Sequence, residues 1–422
     1  MLRANLYLMR IIAILLIICS FSLAWADTKY GGGTGEPNDP YQIWDANHMQ
    51  AIGADPNDWD KHFILMADID LGQFDGKDGR EKFNVIALDV NDLEWGFQGI
   101  PFTGLFDGNN KTISNFTYWS SSIDYIGLWG CVRSARIKNI GLIDPNIDAG
   151  TGSGVGSLAG CVYEGGTLTD CYAKGGSVVG NSAVGGLVGS NRSNTTITKC
   201  YVERVSVSGV GGVGGLIGEG NVSKCYATGN VRGEDFVGGL IGVGNVSQCY
   251  ATGNVEGVDE VGGLVGMGLG TITNSYATGN VYGNWRVGGV AGHCGCNGMT
   301  RCYATGQVSG NSLVGGLYGQ RYCIVGTIPP IQDCYWDIET SGELHRCGAD
   351  TRGSCGSYYG KTTAQMHQQA TFEGWDFINV WNIGQNQTYP YLRTVPAGDI
   401  NKDETVNFLD LCIIAQHWCN EQ

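Results

Sequence analysis

Positive charge is scarce in this chain. Its 422 residues hold 25 Lys and Arg against 40 Asp and Glu, a net charge of −15. That balance repels nucleic acid and anionic membrane, and it makes acidic polysaccharide a poor partner unless calcium bridges it. Beyond the N-terminus no stretch approaches the ~18 apolar residues of a membrane span. Helical periodicity is missing from the middle of the chain, and the three-residue glycine period of collagen is missing too, although 69 residues are glycine. The histidines (His48, His62, His293, His345, His367, His417) are scattered. No Gly-x-Ser-x-Gly sequence marks a hydrolase elbow, and Gly152-Ser153-Gly154 sits in a turn-rich connection.

What is present is a repeat. Val184-Gly-Gly-Leu-Val-Gly189 recurs as Val213-Gly-Gly-Leu-Ile-Gly218, Val237-Gly-Gly-Leu-Ile-Gly242 and Val261-Gly-Gly-Leu-Val-Gly266, with looser copies at Val155, Val287 and Val314 and a frayed one at Tyr125. Measured at the leucine, the intervals are 30, 29, 29, 24, 24, 26 and 27 residues. Cys225-Tyr-Ala-Thr-Gly-Asn-Val231 and Cys249-Tyr-Ala-Thr-Gly-Asn-Val255 are locked to that phrase, and the series continues at Tyr172, Tyr201, Tyr276 and Tyr303. Short runs of Val, Ile, Tyr and Thr between Gly and Asn are strand-and-turn punctuation. A fixed period near 24 residues with strands of ~5 residues fits one coil of a β-solenoid. The expected fold is all-β: a parallel β-helix of about eight or more coils. Paired glycines suit corners that need positive φ and leave no room for side chains.

Stacked coils lie about 4.8 Å apart, so the tyrosines should form a ladder, with the neighbouring Cys and Ala pointing inward. The ladder can stabilise the solenoid or offer an aromatic strip to sugar rings, and alternation alone leaves its facing open. Asp235 and Asp259 precede Val237 and Val261 by two residues and should stack at one corner, with Glu234 and Glu260 nearby. β-Helix polysaccharide lyases and glycoside hydrolases need close carboxylates, so these two are the weak catalytic candidates. No arginine or lysine aligns beside them in this reading, since Arg232 has no basic counterpart one repeat later, where Glu256 stands.

Arg3, Arg10, the apolar run Ile11 to Ala24 and Ala24-Trp-Ala26 read as a secretory signal with cleavage after Ala26. The mature chain is then 396 residues (422 − 26) with charge −17 (−15 − 2), free of membrane spans, and secreted, extracellular or at the cell surface. Fifteen of 16 cysteines remain (16 − 1), an odd number in a compartment that permits disulfides. Cys131 and Cys161 each follow the glycine of a repeat phrase and should lie within bridging distance on adjacent coils. Cys294, Cys296, Cys302, Cys323, Cys334, Cys347 and Cys355 crowd the end of the solenoid as staples. Cys294-Gly-Cys296 has no second pair at zinc spacing.

Asp39-Pro-Tyr-Gln-Ile43, Leu65-Met-Ala-Asp-Ile-Asp-Leu71, Phe102-Thr-Gly-Leu-Phe-Asp-Gly108 and the repeated Val-Gly-Gly-Leu-Val-Gly resemble secreted bacterial GLUG-motif repeat proteins. So do Cys334-Tyr-Trp-Asp-Ile-Glu-Thr-Ser-Gly342, Lys361-Thr-Thr, Gly374-Trp-Asp-Phe377 and Tyr389-Pro-Tyr-Leu392. The resemblance spans nearly all of 30–393 and implies a parallel β-helix in an extracellular or cell-surface setting. It implies no catalytic residues.

After Pro396 the composition changes. Asp399, Asn401, Asp403 and Asp410 fall at positions 1, 3, 5 and 12 of a twelve-residue calcium loop, with the Thr405 carbonyl at 7 and Asn407 at 9. Leu411, Ile414, Ala415 and Trp418 then make the apolar stripe of a following helix. Glu404 stands where an EF-hand has Gly, and Asp410 replaces the usual Glu. The segment resembles one repeat of a dockerin, a module that normally carries two, and this implies docking to a cohesin-like or surface-anchoring protein.

The expected organisation is a signal peptide (1–26), an N-terminal cap and first strands (27–101), the repeat solenoid (102–335), its C-terminal cap (336–395) and the calcium-binding segment (396–422). The expected function is a non-enzymatic adhesion or binding scaffold. The alternatives are a carbohydrate-active β-helix enzyme and a module binding extracellular glycan.

Overall fold

Glycine, valine and isoleucine at a fixed period favour extended backbone that can pair only with its own copy one coil on. The computed structural model describes residues 29–90, 96–192, 194–295, 298–321, 331–351, 355–357 and 359–393. In them the chain winds as a parallel β-solenoid. One wall is a six-stranded parallel sheet running from Ser182–Gly185 to Ser312–Gly315. A second is an eight-stranded sheet running from Thr117–Trp119 to Val308–Ser309. All but two of the remaining strands, including the Gly-Leu-Val and Cys-Tyr-Ala segments, belong to one continuous 25-stranded sheet. The single antiparallel strand pair is Trp381–Asn382 with Tyr391–Leu392, among the described residues.

The register is like on like. Ile126, Val155, Val184, Val213, Val237, Val261, Val287 and Val314 pair in one unbroken column, which fixes eight successive coils. The leucine position of the same phrase (Leu128, Leu158, Leu187, Leu216, Leu240, Leu264, Val290, Leu317) is completely buried in every copy. The core is therefore a set of apolar files running the length of the molecule, each residue packed on its own equivalent.

The expected use of glycine is half right. The backbone does turn left-handed just before the Val column, but non-glycine residues mostly supply it: Ala183, Phe236, Glu260, Arg286 and Leu313 have φ between 52° and 55°. The paired glycines answer to space instead. A Cβ on Gly238 would lie 2.0 Å from the Ile241 carbonyl oxygen and 2.6 Å from the Gly266 nitrogen. A second left-handed file (Asp170, Lys199, Lys224, Gln248, Asn274, Arg301, Asp333) precedes the Cys column. None of its members is buried, as a wet corner requires.

Toward the N-terminus, helix Ala46–Ala54 is capped by Asp45, whose Oδ1 accepts from the His48 N–H at 2.9 Å, and it sinks Met49 and Ile52 into the core. Asp107-Gly-Asn109 bends the chain without reversing it. Strand Leu105–Ser114 continues through it, with Asn109 and Asn110 left-handed, and pairs in parallel with the preceding coil on both sides. At the other end, Met366, Phe372, Trp375 and Trp381 form a second apolar cluster with Tyr276, Tyr303 and Tyr335. The segment after Gly360 thus lies along the side of the last coils. The expected signal peptide (1–26) and the expected calcium-binding segment (396–422) lie outside the described residues.

Candidate functional site

The corner that carries the two candidate carboxylates is built by the six-stranded wall, where Asp235 and Asp259 are register partners on adjacent coils. They do not form a free acidic pair. The next coil brings Arg286 over Glu260, and its guanidinium spans both neighbours. Nε donates to Asp259 Oδ1 at 2.8 Å, one terminal nitrogen bonds Asp259 Oδ2, and the other lies 2.5 Å from Glu260 Oε1. The Arg286 plane also covers the Trp285 ring, 4.5 Å from its centroid. His293 Nδ1 stands 3.3 Å from the same Glu260 oxygen.

Glu260 is 4% exposed, and its Oε2 has no hydrogen-bond partner. The geometry consumes both oxygens of Asp259 and leaves Asp235 exposed at the surface. The cation that the sequence reading did not find is Arg286. Its column (Phe236, Glu260, Arg286, Leu313) lies one residue past the acidic one, so aligning the repeats at that position would have set Arg286 against Glu260.

The tyrosine ladder forms as expected. Successive rings from Tyr172 through Tyr201, Tyr226, Tyr250 and Tyr276 to Tyr303 sit 4.8 to 5.0 Å apart and within 8° of parallel. Its facing is now decided. The rings cover one another, and Tyr172 lies over Gly141, where any Cβ would strike its ring. Tyr276 and Tyr303 are buried beneath Trp375, Trp381 and Tyr389. The tyrosines from 172 to 250 present edges to solvent and keep their faces for each other, which removes the flat platform that sugar stacking needs.

Polar tips tie the ladder to its rim. Tyr226 Oη donates to Glu203 Oε1 at 2.8 Å, and Lys174 Nζ meets Glu203 Oε2 at 3.1 Å. Partial burial pushes the Glu203 carboxyl up, but these two donors outweigh it and hold it below its ordinary value. Burial also raises the phenols of Tyr201, Tyr226, Tyr276 and Tyr303, and it pushes Tyr250 to about 12.

Across the left-handed corner from the tyrosines runs an open groove of about 290 Å³. It is lined by the polar residues Asn221, Asn245, Thr271, Ser223 and Ser247 together with the buried Ile197, Val222 and Val246. Asn245 Nδ2 donates to Asn221 Oδ1 at 2.7 Å, while Asn245 Oδ1 has no partner. Sequence reasoning missed this groove, although its signal was legible as Thr-x-Thr or Asn-x-Ser ending two residues before Cys171, Cys200, Cys225, Cys249 and Ser275.

Among the described residues no group of three His, Cys, Asp or Glu side chains could hold a metal ion. The calcium candidates Asp399, Asn401, Asp403, Thr405 and Asp410 lie outside those residues. Cys131 and Cys161 bridge adjacent coils as expected, with Cα atoms 4.7 Å apart, and Cys347 joins Cys355. No helix among the described residues is long and apolar enough to cross a membrane.

Comparison with known proteins agrees with the repeat. Residues 180–208 match the family model described as the GLUG motif. Halomucin of Haloquadratum walsbyi (strain DSM 16790 / HBSQ001) is 30% identical over 149 residues, a stretch covering 32% of this chain and 2% of halomucin. The chain thus spans about a fiftieth of that relative's length. A crystal structure of a provisionally named immunoglobulin A1 protease from Bacteroides ovatus is 20% identical and aligns over 87% of this chain and 96% of its own, with a TM-score of 0.47. The chain is a parallel β-solenoid repeat protein that carries a GLUG motif.

Proposed function

We propose that this chain is a secreted, non-enzymatic scaffold that spans distance and presents a repeated surface for adhesion or binding outside the cell. Its C-terminal loop would bind calcium through Asp399, Asn401, Asp403, Thr405 and Asp410 and dock or anchor the solenoid to a cohesin-like or surface-anchoring partner. The observation that carries the reading is the engagement of the acidic corner: Arg286 takes both oxygens of Asp259, which ties the coils together and leaves Asp235 without a free carboxylate partner on the coil above. The competing reading, a β-helix polysaccharide lyase or glycoside hydrolase, is tested by screening plant and algal polysaccharides with Asp235→Ala and Asp259→Ala as controls. No turnover is expected. Turnover abolished in both variants would replace the scaffold by the enzyme.

A second reading, a module that binds extracellular glycan, is favoured by the groove rather than by the tyrosines. A channel of hydroxyls and amides along the coil axis, with one unpartnered amide oxygen, offers the donors and acceptors a sugar chain uses. Glycan-array binding that disappears in Asn245→Ala would support it.

A further inference from the structure

The residue before each ladder tyrosine points into the core. Cys171, Cys200, Cys225, Cys249, Cys302 and Cys334 are at most 1% exposed. Their tyrosine neighbours pair in register, so the cysteines stand coil over coil in one file. The Cys200 N–H lies 3.4 Å from Cys225 Sγ, Cys225 N–H 3.4 Å from Cys249 Sγ, and Cys302 N–H 3.4 Å from Cys334 Sγ. All six are thiols here, each donating to the carbonyl two residues earlier at 3.1 to 3.3 Å.

Adjacent, in-register coils of this chain already carry one disulfide. Cys131 and Cys161 are register partners with Cα atoms 4.7 Å apart, inside the range that a disulfide spans. Cysteines two coils apart stand about 9.6 Å from each other, beyond bridging. Each cysteine of the file can therefore reach only the coil directly above or below.

Ser275 breaks the file. It occupies the cysteine position between Cys249 and Cys302, and its Oγ makes the same bond, to the Thr273 carbonyl at 2.7 Å. The break leaves a run of four (Cys171, Cys200, Cys225, Cys249) and a run of two (Cys302, Cys334). Both runs are even. With neighbour-only bridging there is one way to leave nothing over, because joining Cys200 to Cys225 would strand Cys171 and Cys249.

We propose that this buried file is an oxidation site that closes pairwise, as Cys171–Cys200, Cys225–Cys249 and Cys302–Cys334. Cys294 belongs to another file, where its register partners are Gly268 and Arg321, and it stays a thiol. The oxidant is a disulfide, small-molecule or protein, met while the coils are still assembling, since the finished core is closed. One cysteine thiolate attacks the oxidant and expels a thiol. The coil neighbour's thiolate then attacks the mixed disulfide and expels the second. Each new bond reduces one oxidant disulfide to two thiols, which keep the two protons the cysteines lose. The result is a set of clamps between nearest-neighbour coils, where a solenoid otherwise opens one coil at a time.

The test refolds the full chain from the reduced state in a reduced/oxidised glutathione buffer, alkylates it in denaturant without reductant, and maps the peptides. The expected result is no alkyl adduct on the six file cysteines, with the three named linkages recovered. Two variants fix the logic. Cys200→Ser should leave Cys171 alkylated with Cys225–Cys249 intact. Ser275→Cys makes the file odd, so one file cysteine should alkylate. Alkylation of all six in the unmodified chain, or recovery of Cys200–Cys225 as its main linkage, overturns the proposal.

Discussion

Gly238 has no room to grow, whereas Gly165 does. A methyl at Gly238 would strike the Ile241 carbonyl and the next coil at once, while a methyl at Gly165 (φ +83°) meets nothing within 4 Å. Gly238→Ala should therefore cost about 3 kcal/mol through forced backbone shifts. Gly165→Ala should cost about 1 kcal/mol, the left-handed strain alone. Urea denaturation of the two variants reads the difference, and equal costs would mean the coils can part without penalty. A second residue-scale test concerns Arg286. Removing it in Arg286→Met leaves the buried Glu260 carboxylate uncompensated, a loss of about 3 kcal/mol or more. Adding Glu260→Gln should recover a large part of it, because the charge that lost its partner is then gone.

At the scale of one element, the tyrosine ladder behaves as a stack whose interior members count double. Tyr226 is stacked on both sides and Tyr172 on one. Each ring pair is worth about 1 kcal/mol, so Tyr226→Ala should destabilise roughly twice as much as Tyr172→Ala in thermal unfolding. The ladder also sets an alkaline limit. Burial raises the Tyr250 phenol from its ordinary 10.0 to about 12. The folded state then disfavours the phenolate, so this contribution is whole below pH 10 and is lost as pH rises through about 12. Tyrosinate absorbance should show a fraction of the phenols ionising late, together with loss of β-structure. A simple titration with every phenol near 10 would contradict the stacked, buried ladder.

For the whole molecule, the side cluster and the C-terminal loop matter most. Trp375 and Trp381 pack on Tyr276, Tyr303 and Tyr335, and the Tyr303 hydroxyl donates to the Pro390 carbonyl. Ending the chain at residue 361 should uncover this apolar strip, seen as increased binding of a hydrophobic dye and loss of monomer on sizing. For the calcium reading, millimolar calcium should raise helicity and protease resistance over 397–420, and absence of heat in a calcium titration of the full chain would remove that part of the proposal.

The period and the phrases settled much before any coordinates. Identical spacing of Val, Leu, Cys and Tyr left parallel stacking as the arrangement that buries every apolar file, and it also foresaw the Cys131–Cys161 bridge and the inward cysteines. Other features lay between coils rather than within one. Which coil offers a cation to Glu260 depends on what stands 26 residues later in the register (286 − 260). The fate of the tyrosine faces depends on a segment far along the chain folding back over two rings. The division has a physical cause. A repeat writes its local conformation and its nearest-neighbour pairing into every copy, so sequence alone determined the solenoid, its files and its wet corners. The charge network and the covered end of the ladder arise where copies differ or where non-repeated chain meets them, and only the tertiary structure decided those.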